Sequence, residues 1–286
     1  MAGPAPLHRP IMRSLPNRLW QPLVTHALHS RAAWLLGWRL LVPLLRRRAR
    51  MRLGRLTPGA VTVITVNWNG LPYLRVLLDV VRRRSPDSVR IVVVDNGSTD
   101  GSRDFLRARR DVEPVLLPAN LGHDLALDLA VLTCQTEFFI TLDVDAFPLT
   151  TGWIEKLLAP LVGGTAEISG ARLWRPYVHP CCLAMRTARF VRAGHTFRSR
   201  YQPGTDTEPA RGDVGEEMSA REAPRLHFFE VTSQRGPGDV GTVFGDLVYH
   251  NFYGTRFGAG HTTLDGGIQP DDPRRAWAEA VQRYVR

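Results

Sequence analysis

Four short apolar runs constrain this chain more than any other feature. "VTVITVN" (61–67), "VRIVVVD" (89–95), "EPVLL" (113–117) and "EFFITLD" (137–143) have the length of strands, and they read as strands buried on both faces. Between them, "LPYLRVLLDVVRRR", "SRDFLRARR" and "LGHDLALDLAVLTC" carry apolar residues at helical spacing. The first has Pro72 near its start and arginines at its end, as helix termini prefer. The resulting β-α-β-α-β-α-β order predicts an α/β fold, a mostly parallel sheet flanked by helices. Ligands of such sheets sit beyond the carboxyl ends of the strands. The polar clusters "NWNG", "DNGSTDGS" and "DVDAFP" all fall there, so one sheet edge should gather them. The second half is less regular: "GWIEKLLAPL" reads as a helix, "AEISGARLW" and "HFFEVTS" as strands, and "DDPRRAWAEAVQRYV" as a closing helix.

Charge divides the chain in two. The formal net charge is +10, yet residues 1–58 hold 11 arginines and no acid, while the remainder holds 26 basic and 27 acidic side chains. We therefore divide the chain into a basic N-terminal extension, 1–58, and one catalytic domain, 59–286. Within the extension, "AAWLLGWRLLVPLL" (32–45) is interrupted by Arg39 and Pro43 and is shorter than the about 20 residues a span needs. With Trp34 and Trp38 one turn apart beside "RRRARMR", it reads either as a helix lying in a membrane interface through residues 32–55, or as a basic helix packed on the domain. Nucleic acid is not an expected partner, because aromatic interleaving is confined to the apolar stretch. Three cysteines, two of them vicinal, give no disulfide framework and fit a cytoplasmic location, peripheral at the inner face of a membrane if the helix binds lipid.

Asp143 and Asp145 end a buried strand, where carboxylates are costly unless they meet a cation or water. Side chains at i and i+2 of an extended segment share a face, so both can approach one hard divalent cation, Mg2+ or Mn2+. Asp95 closes a second buried strand, and a carboxylate there suits hydrogen bonding to a base or ribose. Asn96–Gly97 forces a tight turn, after which Ser98, Thr99 or Asp100 can cap the next helix.

Taken together, "VTVITVNWNGLPYLRVLL", "IVVVDNGSTDGSRDFL", "PANLGHDLALDLAV" and "FFITLDVDAFPL" occur in the order and approximate spacing of family 2 glycosyltransferases. The chain resembles these inverting enzymes, of the nucleotide-diphospho-sugar transferase (GT-A) fold, over roughly residues 60–155. The resemblance implies that 59–150 is the nucleotide-sugar-binding half and 151–286 the acceptor-binding half. It places Asn67, Asn69, Asp95, Asn120, Gly122, Asp124 and Asp143 around the nucleotide-sugar, with Asp143 and Asp145 as the metal-binding D-x-D. "NLGHDLALD" departs from the family in being polar and acidic. Asp124 either contacts a sugar hydroxyl or lines an exposed helix face with Asp128 at i, i+4.

In such enzymes the acceptor half supplies a carboxylate base. In "ARGDVGEEMSARE" Asp213 fits best, although Gly212 replaces the usual acid before it; Glu216 and Glu217 follow one turn later. Asp213 can equally be a helix N-cap. In "LVYHNFYGTRF" His250 is either a structural histidine ending a strand or, as in the family, a metal or diphosphate contact. "GPGDVG" is a false dinucleotide fingerprint leading into the strand-like "TVFGDLVYH", and reads better as a loop closing over the donor. A cysteine nucleophile in "VHPCCLAM" lacks a partner base.

The sequence thus implies a metal-dependent inverting transfer from a nucleotide-diphospho-sugar donor to a glycan or lipid-linked acceptor, in cell-envelope or glycolipid synthesis. Two rivals remain at this point: a nucleotidyltransferase of similar fold, and a catalytically silent nucleotide-sugar-binding protein.

Overall fold

A computed structural model of the protein describes residues 35–172, 175–200, 212–234, 241–252 and 273–285. A π-helical turn, Gly37–Leu41, leads into α1 (Val42–Arg52). The next four strands are β1 (Thr57–Asn67), β2 (Arg90–Asp95), β3 (Glu113–Leu116) and β4 (Thr136–Leu142). They are connected through α2 (Leu71–Arg84), α3 (Ser102–Ala108) and α4 (His123–Val131), and they pair in parallel. After β5 (Ala146–Pro148) and α5 (Trp153–Val162) come β6 (Ile168–Arg172), β7 (Val178–Arg186), α6 (Thr187–Ala193), α7 (Glu216–Glu222) and β8 (Leu226–Phe229). The main sheet runs β3-β2-β1-β4-β7-β6-β8, with β7 alone antiparallel to its neighbours. This is a mostly parallel, helix-flanked α/β architecture.

Both faces of the sheet are covered, which is why its central strands show no polar alternation. Val61 and Val63 of β1 and Phe138 and Ile140 of β4 enter a core with α2, α5 and Trp277. The intervening Ile64, Val66 and Phe139 point to the opposite core, with α1, α4 and α6. Phe139 is fully buried between the rings of Phe190 and Phe197; burying such a side chain contributes about 1.5–3 kcal/mol.

A second, four-stranded sheet has the order β5-β11-β10-β9, from β9 (Val231–Gln234), β10 (Thr242–Phe244) and β11 (Val248–His250). The closing helix α8 (Pro273–Tyr284) seats Trp277 against Phe147 and Tyr73.

Several expectations need correction. β3 is an edge strand with largely exposed residues, not one buried on both faces. "HFFEVTS" is two strands in two sheets, broken at Glu230, and "TVFGDLVYH" is a hairpin turning at Gly245–Asp246, both at positive φ. "VHPCCLAM", read above only for its cysteines, is the central antiparallel strand β7. Most of the glycine-rich loop, 235–240, lies outside the described residues.

The basic segment from residue 35 is packed on the domain through one face. Trp38, Val42 and Ala49 are buried in the second core, and the Arg46 and Arg52 guanidiniums donate to the carbonyls of His195 and Leu132.

Candidate active site

The site begins where β1 and β2 end in register, Asn67 opposite Asp95. Both are fully buried. The Asn67 amide donates to Asp95 Oδ2 at 3.0 Å and to Ser98 Oγ at 3.1 Å, while Asp95 Oδ1 accepts from the Ser98 N–H at 3.0 Å. Arg103 stands 3.4 Å from the same oxygen. Asp95 therefore spends its oxygens organising its own loop, while Asn67 Oδ1 is buried with no partner. Asn69, at φ 51°, accepts from the Thr99 N–H at 2.8 Å and ties the first loop to the second.

A second tie joins the loops after β2 and β3. Asn96 donates to Asn120 Oδ1 at 2.9 Å and accepts from the Leu121 N–H at 2.8 Å; the Gly122 N–H also reaches Asn120 Oδ1 at 2.9 Å. Gly97 lies where a Cβ would sit 2.6 Å from the Ala119 backbone, at φ +80°, so only glycine lets these loops meet. Asn96 is thus more than a turn residue. The tight turn in the sequence disclosed the glycine, but nothing there disclosed the partner loop.

The acids of α4 do not line an exposed helix face. Asp124 and Asp128 are both buried. Asp124 Oδ2 accepts from the Ser199 N–H at 3.1 Å, and Asp128 accepts from Thr196 Oγ at 2.7 Å and the Phe197 N–H at 2.8 Å. Together they anchor the segment that leads towards Asp213. Burial lifts the Asp128 carboxyl to about 7, against the lowering effect of these hydrogen bonds. The folded state then holds a proton that the unfolded chain releases near pH 4, so this group's stabilisation is complete below about pH 4 and is lost as pH rises through 7. Asp128→Asn, which keeps an acceptor for Phe197, is expected to flatten the fall of melting temperature between pH 4 and 8. An unchanged slope would assign that pH dependence elsewhere.

At the end of β4, Asp143 and Asp145 flank a turn closed by the Ala146 N–H on the Asp143 carbonyl at 3.0 Å. His250 arrives from β11, which pairs with β5 so that His250 stands opposite Ala146. Its Nε2 lies 3.2 Å from Asp145 Oδ1 and 3.4 Å from Asp143 Oδ2. One donor atom from each of the three residues falls within 4.8 Å of the others. Nδ1 of His250 is buried and has no partner, so the ring's polar contacts all face the carboxylates. Two hard oxygen donors and an imidazole nitrogen in this arrangement fit a divalent cation. His123 completes the rim, with Nε2 3.4 Å from Asp143 Oδ1.

The neighbours of Asp143 favour its ionised form. Burial works against charge throughout, yet His123 and then His250 hold the Asp143 carboxyl well below the usual range. Asp145 and Asp143 in turn raise His250 despite its burial. The histidines, separated by over a hundred residues from each other, act as the countercharge of the two acids.

The stretch expected to supply the base is built on α7. Its N-cap is Gly215, not Asp213, because Gly215 at φ 81° sits against Pro180. Asp213 instead accepts from the Tyr177 hydroxyl at 2.7 Å and from the Val214 N–H at 2.7 Å. Glu216 is more heavily engaged: its Oε2 takes the N–H groups of Gly212 at 2.7 Å and Asp213 at 2.9 Å, and Arg175 lies at 3.0 Å. Arg175 also stands 3.7 Å from Asp213 Oδ2, so the two acids share one guanidinium, while the backbone contacts of Glu216 shape the loop. Cys181 and Cys182 are buried, and burial pushes the Cys182 thiol up to about 12, which removes a thiolate nucleophile.

Tyr177, Arg175, His123 and His179 are the site residues that sequence reasoning missed or left without a role. The rings of His250 and His179 are 6.3 Å apart, and those of His179 and Tyr177 6.0 Å apart. A continuous row of side chains therefore joins the acidic pair to Asp213.

Residues 62–179 match the family described as "Glycosyl transferase family 2". Over 115 residues, 40% of this chain, it is 32% identical to the pre-mycofactocin glycosyltransferase of Mycobacterium tuberculosis, in both strains CDC 1551 / Oshkosh and H37Rv; the match spans 23% of that relative's length. Among solved structures, the mannosyltransferase PcManGT from Pyrobaculum calidifontis, in complex with GDP-Man and Mn2+, superposes with a TM-score of 0.48 at 21% identity. That match covers 71% of this chain and 65% of the other. S. aureus TarS superposes at 0.47 and 18% identity, covering 60% of this chain and 35% of TarS.

Proposed function

We propose that the chain transfers a sugar from a nucleotide-diphospho-sugar to an acceptor hydroxyl in one inverting displacement. The observation that carries this reading is the convergence of Asp143, Asp145 and His250 at the strand edge of a stretch that matches family 2, joined to the Asp213 carboxylate by the row His179–Tyr177. Asp143, Asp145 and His250 would hold a divalent cation, Mn2+ or Mg2+, which when bound supplies Lewis-acid neutralisation of the charge that grows on a departing diphosphate. The loops of Asn67, Asn69, Asp95, Asn120 and Gly122, tied to one another as described, form the floor for the nucleotide, with Asp124 fixing the wall beside it. Asp213 takes the proton of the attacking hydroxyl. The Tyr177 hydroxyl holds its carboxylate in place.

The test is a panel of sugar nucleotides incubated with the protein and Mn2+, followed by mass spectrometry for the released nucleoside diphosphate. Release from one or a few donors, lost on chelation, is the expected result. Release of inorganic pyrophosphate from a nucleoside triphosphate instead would make the chain a nucleotidyltransferase.

The acceptor class is read from α1. Its outward side and that of the helical residues 35–41 before it expose Leu35, Leu36, Leu40, Leu41 and Leu44, with the exposed Arg39, Arg47 and Arg48. Gly37 abuts Leu125 near the start of α4, so the leucine-rich end lies at the catalytic edge of the sheet. Among the described residues no helix is long and apolar enough to cross a membrane. This face suits the interface of an anionic bilayer, where apolar burial and arginine–phosphate attraction add, and from which a lipid-linked acceptor could reach the site. The protein is expected to co-sediment with phosphatidylglycerol vesicles and far less with phosphatidylcholine ones. Leu40→Asp combined with Leu44→Asp should release it, and retention of that variant would remove the membrane reading.

A further inference from the structure

His179 stands between the acidic pair and Asp213, and its surroundings fix its chemistry. Its Nδ1 accepts the Cys181 N–H at 3.0 Å. A nitrogen that accepts a hydrogen bond carries no proton, so the neutral ring must carry its proton on Nε2. The segment that imposes this is clamped from three sides. The Cys181 carbonyl accepts the Asp143 N–H at 3.3 Å, the Pro180 carbonyl accepts Thr141 Oγ1 at 2.7 Å, and Gly215 of the α7 cap packs on Pro180. Two consequences follow. Nε2 is not available as a metal-ligating lone pair, and an N–H with no protein partner among the described residues sits in the row His250–His179–Tyr177.

Resting on the sugar-transfer reading above, we infer that His179 is an anion-binding residue of the site: its Nε2–H donates to a diphosphate oxygen of the nucleotide and stabilises the leaving group beside the metal pocket. It is neither a fourth metal ligand nor a second base. A fixed donor aimed at developing charge needs no reorganisation during the reaction, which makes it worth more than a mobile one.

The test uses the full chain and two variants. Asn at this position can still accept the Cys181 N–H but does not reach as far as Nε2, whereas Gln can place an N–H there. In long-range 15N–1H spectra of the metal-free protein, His179 should show the Nε2-protonated neutral ring; an Nδ1-protonated ring would overturn the inference. Mn2+ alone should bind wild type, His179→Asn and His179→Gln equally, and a loss confined to Mn2+ binding would make His179 a ligand and overturn it. Inorganic pyrophosphate, added to the Mn2+-loaded protein, should bind His179→Asn about tenfold more weakly, with His179→Gln recovering much of the loss. Wild-type affinity in His179→Asn would overturn the inference while leaving sugar transfer standing. Absence of pyrophosphate binding by Mn2+-loaded wild type would instead remove the diphosphate site itself.

Discussion

Asp145→Ala is expected to lower sugar transfer by about 10³-fold or more, because a divalent cation positioned on a leaving diphosphate supplies several kcal/mol of transition-state stabilisation. The substitution is also expected to leave the fold intact. The Asp145 backbone holds local structure that the substitution keeps: its carbonyl accepts the Asn251 N–H at 2.9 Å, and the turn closes through the Asp143 carbonyl. Its carboxylate lies 3.2 Å from His250 Nε2. Circular dichroism and thermal melting should stay near wild type while turnover in Mn2+ collapses. Near-normal turnover would take the metal role away from this pair.

Asp213→Asn is expected to reduce turnover by about 10²–10⁴-fold with little change in donor affinity, the range for loss of a positioned general base. The amide still occupies the space beneath Tyr177 but has no basic oxygen of comparable strength. Glu216→Gln is the informative companion. Its carboxylate holds the Gly212 and Asp213 N–H groups and faces Arg175, so its loss should loosen the loop and lower melting temperature before it affects chemistry. Turnover kinetics and thermal melts on the two variants separate these roles. If Asp213→Asn turns over like wild type and Glu216→Gln does not, the base is Glu216.

What the sequence disclosed follows from how local the signals are. Both-face apolar runs such as 61–67 and 137–143 marked the central strands, and the i, i+2 spacing of Asp143 and Asp145 put two acids on one face. Those are properties of a few consecutive residues. His250 could be named but not placed, since its position depends on β11 pairing with β5 across a hundred residues. The edge position of β3 was hidden because a short apolar run reads the same whether one of its faces is covered or two. Asp124 and Asp128 show a similar limit: i, i+4 acids usually mark a solvated face, and here the segment around Thr196 and Phe197 covers them. His179 carried no sequence signal at all, because its surroundings come from a side-chain bond to the Cys181 N–H within β7 and from neighbours on three other elements.

Titration with Mn2+, followed through the electron paramagnetic resonance signal of the free ion, bears most directly on whether Asp143, Asp145 and His250 form a cation site. The wild-type chain should remove one Mn2+ per molecule from solution, more tightly when a nucleoside diphosphate is present, and Asp145→Ala should remove none. Equal binding by the two proteins, or no binding by either, would contradict it.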